Sequence, residues 1–124
     1  MNTEIDIFGE FLMENLRDVA IALCNGLADS KFDSPGHREI QKELQSLTPS
    51  QKEAFKKAVT YCIDGGINDF LYRLDKESRT KKRLDIQVNG RSTSELCDGL
   101  AKHLYGATGW KARFSKSVPT TTDT

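Results

Sequence analysis

Two histidines, three cysteines and a scatter of carboxylates are the residues of this chain best able to do chemistry, and their spacing limits what they can do. His37 falls in an exposed-looking helix start and His103 on the flank of a later helix. Neither has a Cys, Asp, Glu or second His at ligand spacing, so no metal is expected. Cys24, Cys62 and Cys97 are odd in number, widely separated and set among apolar residues, the pattern of reduced core thiols rather than of a disulfide framework. The chain has no Gly-rich phosphate loop, no His-Glu-x-x-His, no Cys-x-x-Cys and no nucleophile elbow. No catalytic residue and no cofactor is assigned, and the expectation is a non-enzymatic protein.

Among the carboxylates, Glu10 and Glu14 share one face of the first helix, with Asp18 in the next turn, and Asp64 shares a face with Tyr61, Asn68 and Asp75. A general acid and base need two carboxyls in a cleft that drives their pKa values apart. Solvated helix faces explain these groups more simply. The strip Tyr61, Asp64, Asn68 and Tyr72 nevertheless sets two aromatics beside polar groups, the composition of a recognition surface. Glu10, Glu14, Asp18, Tyr61, Asp64, Asn68 and Tyr72 are therefore the candidate partner-binding residues.

Charge is balanced overall but polarised. Residues 1–50 hold nine acids and four bases, and residues 51–124 hold nine acids and fourteen bases. Five of those bases, Lys76, Arg79, Lys81, Lys82 and Arg83, fall in one eight-residue run. With Arg91, Lys111, Arg113 and Lys116 they could neutralise phosphates, and Trp110 or Phe114 could stack on bases. Zero net charge and the lack of a recognition signature make nucleic acid the lesser reading.

These residues must be positioned by a core that 124 residues at 37% hydrophobic content can supply once. Phe8, Leu12, Leu16, Val19, Leu23 and Leu27 recur at three and four, and Phe11, Met13, Ile21 and Cys24 widen that apolar sector, predicting a central helix over residues 4–27 with neighbours on more than one side. Ser34-Pro35 opens an outer helix to about residue 47, Ser34 accepting from a free amide. Thr48-Pro49-Ser50-Gln51 opens a long one to about residue 76, the strongest boundary in the chain. Gly65 and Gly66 interrupt it, and the expected compensation is a close crossing by another helix over Gly66, with a hinge as the alternative. Residues 76–83 read as a solvated connector.

Residues 84–88 alternate as a strand and Asn89-Gly90 is turn chemistry, yet no apolar return follows, so no hairpin is expected. Ser92-x-x-Glu95 reads as a capping box opening a fourth helix that stops near Gly106. Residues 110–114 fit a second strand pairing with residues 84–88, or a single helical turn nearly as well. The expected fold is mainly α: a compact four-helix domain over residues 1–116 with one or two short β-strands near the C-terminus, then a disordered tail over residues 117–124. The first residues lack a basic segment and an apolar run, and no stretch is long enough to span a bilayer, so a cytoplasmic protein with no membrane contact is expected.

Ile67-Asn68-Asp69-Phe70-Leu71, Leu84-Asp85-Ile86-Gln87-Val88, Asp98-Gly99-Leu100, Leu104-Tyr105-Gly106, Gly109-Trp110 and Arg113-Phe114-Ser115 resemble a family of small uncharacterised bacterial proteins. The resemblance covers roughly the last 60 residues and carries over no catalytic residue. It implies a soluble bacterial protein of a kind found as a small standalone gene product. Together with the polarised charge, it makes a protein-binding module the leading expectation, in particular an immunity protein that neutralises a toxin by covering its active surface. A homodimer through the wide apolar face of the first helix is a further expectation.

Overall fold

Thr3 caps the first helix by accepting from the Asp6 backbone amide, and from there the chain is helical to Ala28 without a break. The computed structural model describes residues 3–117. This first rod has three parts: α1 (Glu4–Leu12), a wider π-helical turn (Met13–Arg17) and α2 (Asp18–Ala28). A π turn holds about one residue more than an α turn, and the extra residue rotates everything after it. Before the turn, Leu12 of the predicted face is buried and Phe8 half-buried, with Ile5 and Gly9 buried beside them and Met13 buried as the turn begins. After it, the buried set is Arg17, Ile21, Cys24 and Ala28. The expected inward face at Leu16, Val19, Leu23 and Leu27 is thereby displaced by one position, and Leu16, Val19 and Leu23 stand exposed.

Pro35 opens α3 (Pro35–Leu44), but Ser34 turns its hydroxyl to His37 Nδ1 instead of capping a backbone amide. α3 packs on α2 and buries Gln41, whose side-chain amide exchanges hydrogen bonds with the Phe32 backbone at 2.9 and 3.0 Å. The Phe32 ring reaches the rod at Gly26, where a Cβ would collide with it. Thr48 and Gln51 form the expected reciprocal capping box, opening α4 (Pro49–Lys76), and a second π turn (Glu77–Lys81) extends it into the basic run.

α4 packs along α2 and buries Thr60, Asp64, Ile67, Leu71 and Leu74. No helix crosses closely at its paired glycines: a Cβ added to Gly65 or Gly66 would meet nothing within 4 Å, and α4 continues through both. The close approach is at Gly9, where an added Cβ would strike the Trp110 indole.

Asn89 and Gly90 both take positive φ, 53° and 81°, and this tight turn joins β1 (Gln87–Val88) to β2 (Arg91–Ser92) in an antiparallel pair. A minimal hairpin therefore does form, because turn chemistry suffices where no apolar return exists. The helix opened by Ser92 is only α5 (Thr93–Leu96), with Ser92 Oγ accepting from Ser94 N and the chain extended at Cys97. It ends there because Asp75 on α4 captures the Leu100 amide at 2.7 Å and pins the next stretch, which coils as a 3-10 turn (Ala101–His103). Residues 110–114 form a short helix, α6 (Trp110–Phe114), and so do not pair with residues 84–88. The fold is mainly α with one short strand pair.

The core lies where α1, the second half of α4 and the C-terminal stretch meet: Ile5, Leu12, Met13, Ile67, Leu71, Leu74, Leu100, Leu104 and Trp110. Trp110 fills its centre between Gly9, an edge-on Phe8 at 5.8 Å and a stacked His103 at 5.5 Å. Of the cysteines, Cys24 is buried and Cys97 half-buried, while Cys62 is exposed and so is not a core thiol. Ser117 is held by Asp18, and residues 118–124 of the expected tail lie outside the described residues.

Candidate docking surface

The π turn produces two linked features, a buried ion network beneath the surface and an apolar face upon it. Rotated inward, Arg17 is fully buried and donates from Nε to Asp64 Oδ1 at 2.6 Å and from Nη2 to Oδ2 at 3.3 Å. Lys111 of α6, also buried, reaches Asp64 Oδ2 at 2.9 Å. Arg17 Nη1 donates to Ser115 Oγ at 2.6 Å, and that hydroxyl donates onward to Asp18 Oδ1 at 2.5 Å. Asp18 also accepts from the backbone amides of Lys116 and Ser117. The rod, α4 and the C-terminal segment are thus tied together by charge-assisted hydrogen bonds.

Burial alone would raise the Asp64 carboxyl pKa, but the hydrogen bonds from Arg17 and Lys111 outweigh it and hold the group below the usual aspartate value. Asp18 behaves alike, burial opposed by the Lys116 amide and the Ser115 and Ser117 hydroxyls, with a net lowering.

This changes the candidate set. Asp64 lies inside the protein and cannot belong to a recognition strip, and Asp18 is committed to the C-terminal segment. Glu14 is exposed, and Glu10 is half-buried and engaged within the protein. Tyr61 and Tyr72 are exposed and share one flank of α4 with half-buried Asn68, so that part of the strip is present on the surface.

On the opposite flank of α4 lies what periodicity did not find. Phe11 is 65% exposed, Val19 58%, Phe70 53%, Leu16 43% and Leu23 41%. Phe11 and Leu16 are one π turn apart, and Leu16, Val19 and Leu23 follow at helical spacing, so one flank of the rod carries all four. A shallow groove of about 220 Å³ lined by Leu16, Ala20, Cys62, Ile63, Gly66, Ile67 and Phe70 joins them to α4. Gly66 is thus a groove lining residue. At about 200 Å² for a fully exposed aromatic and about 160 Å² for an aliphatic residue, these five residues expose at most about 450 Å² of apolar surface, within the about 300–600 Å² of a monomer's largest patch, which is often functional.

A charged cleft of about 560 Å³ opens elsewhere, lined by Glu4, Asp6, Arg91, Glu95, His103 and Arg113 among others. Its groups are largely paired with one another. Arg113 donates to both Asp6 oxygens and holds that carboxyl low, and Arg91 approaches Glu4 at 3.8 Å. His103 lies over Trp110 at the cleft floor rather than on an open surface. Among the described residues no three His, Cys, Asp or Glu side chains come together in a metal-binding group. None of the described helices is long and apolar enough to cross a membrane. Comparison with protein-family models, curated proteins and solved structures gives no match.

Proposed function

We propose that this protein is a non-enzymatic binding module that docks another protein on the apolar face formed by Phe11, Leu16, Val19, Leu23 and Phe70. The observation that carries the reading is the size of that face. One side of a standard protein interface covers about 800 Å², of which about 56–65% is apolar. The apolar area expected from those fractions is about 450–520 Å², close to what these residues expose. Large aliphatic and aromatic side chains flank a groove that a partner's side chain can enter, while Tyr61 and Tyr72 lie on the far flank of α4. The ion network beneath fixes the two helices relative to each other, so the face is presented rigidly and little ordering entropy is lost on docking.

The narrower form of the reading is neutralisation of a toxin by covering its active surface, as immunity proteins do. It draws support from the same rigid scaffold and exposed face, with Glu14 beside Phe11 to meet a basic partner. Affinity capture with the full chain from host cells tests it: one dominant partner, encoded nearby, is expected. Sedimentation of the purified chain distinguishes a second copy of itself as the occupant. Repeated capture that returns no partner, from a chain that sediments as a monomer, overturns the reading.

Nucleic acid is the alternative, favoured by exposed Lys76, Arg79, Lys81 and Lys82 at the end of α4. Retention on DNA and RNA at two salt concentrations tests it, because phosphate-driven binding weakens steeply with salt.

A further inference from the structure

α4 ends in a pocket that neither the apolar face nor the core uses. The chain returns to the helix at Cys97 and is pinned by two bonds: Arg79 Nη2 donates to the Cys97 carbonyl at 2.5 Å, and the Leu100 amide donates to Asp75 at 2.7 Å. Between helix and return lies a concavity of about 390 Å³, lined by Tyr72, Lys76, Arg79, Gly99, Ala101 and Lys102, together with the two carboxylates Asp75 and Asp98. That volume falls in the range of small-molecule sites, about 300–1,000 Å³, and the lining is chiefly apolar.

Charge decides the class of ligand. Both carboxylates are already engaged, Asp75 by the Leu100 amide and Asp98 by Lys102 at 2.8 Å. Among the described residues Lys76 forms no ion pair, and Arg79 hydrogen-bonds the Cys97 carbonyl while its charge acts on Asp98. The pocket therefore pairs an apolar floor with a surplus of one positive charge, Lys76, Arg79 and Lys102 against Asp75 and Asp98, and Lys81 and Lys82 add to the positive field nearby. We propose that this pocket binds a small anion carrying an apolar body, a carboxylate or a phosphate monoester. The charge is met by Lys76 and the unspent guanidinium N–H groups of Arg79, and the body lies on Tyr72, Gly99 and Ala101. This site is separate from the docking face and does not depend on it.

Two-dimensional NMR titration of the full chain tests the proposal, with phenyl phosphate and benzoate as probes and inorganic phosphate and benzyl alcohol as controls. Saturable shifts are expected at the amides of Tyr72, Arg79, Gly99 and Ala101 for at least one aromatic anion, and comparison of the two tells phosphate from carboxylate. That anion should bind about tenfold or more tightly than either control. Lys76→Gln should weaken it about threefold or more, and Ala101→Leu should abolish it while the melting curve stays that of a folded protein. Three results would each overturn the proposal: no saturable shifts from either aromatic anion, inorganic phosphate or benzyl alcohol binding equally well, or indifference to both substitutions.

Discussion

Replacing Asp64 by asparagine removes the one carboxylate that meets both buried cations, Arg17 and Lys111, while keeping side-chain size. Arg17 would then be left with the Ser115 hydroxyl as its sole partner among the described residues. Breaking a buried pair from one side costs about 3–5 kcal/mol, because the surviving charge stays desolvated and uncompensated. Arg17 depends on this carboxylate for its charge, so a cost within that range is expected. Against a total stability of about 5–15 kcal/mol for a domain, such a loss should lower the melting temperature by about 10–25 °C. Urea unfolding followed by circular dichroism at 25 °C measures it directly. The control is the triple substitution Arg17→Met, Asp64→Leu, Lys111→Met, which removes all three charges. It should recover most of the loss, since apolar replacement of a buried ion network is often neutral. A cost below about 1 kcal/mol for Asp64→Asn would refute the claim that this network ties the rod, α4 and the C-terminal segment together.

Three further outcomes follow from the same structure. Gly9→Ala should destabilise by about 1–3 kcal/mol and shift tryptophan fluorescence, since its Cβ would strike the indole, whereas Gly65→Ala and Gly66→Ala should each stabilise by about 0.8–1 kcal/mol in calorimetry. Asp6, Asp18 and Asp64 all have lowered folded pKa values, so their contribution is complete above the unfolded aspartate value near 3.8 and is lost as pH falls through the folded values. Acid titration of stability should show that loss below about pH 4, and Asp64→Asn should make it shallower. In thiol labelling Cys62 should react first and Cys24 last, burial holding the Cys24 thiol pKa up as well as shielding it, and labelled Cys62 should weaken partner capture because it lines the groove.

The long helices were legible because α4 and the first half of the rod obey a 3.6 residue period and carry strong caps, Thr48 with Gln51 above all. What sequence could not supply is the π turn at Met13–Arg17. Every residue in it is compatible with an ordinary helix, and the one-residue slip is favoured only when Arg17 finds Asp64 across 47 positions of chain. The exposure of Leu16, Val19 and Leu23 is a consequence of that slip, so these residues read as core. The available signal was the widening of the apolar sector by Met13, Ile21 and Cys24, a second apolar register competing with the one through Leu16, Val19 and Leu23. The C-terminal segment was misread for a different reason. Asp75 and Arg79 stop the helix after Leu96 by bonding a distant stretch of backbone, and local periodicity carries no trace of such bonds.

The docking face itself is tested most directly by quantitative affinity capture with the wild-type chain and the surface variant Phe70→Glu, both first shown to melt alike. Burying a charge where a large aromatic should seat costs about 2 kcal/mol or more at an interface, a loss of about thirtyfold or greater. The captured partner, or the self-association, should fall by that factor for Phe70→Glu while a Lys82→Gln control retains it. Equal retention by Phe70→Glu and wild type would contradict it.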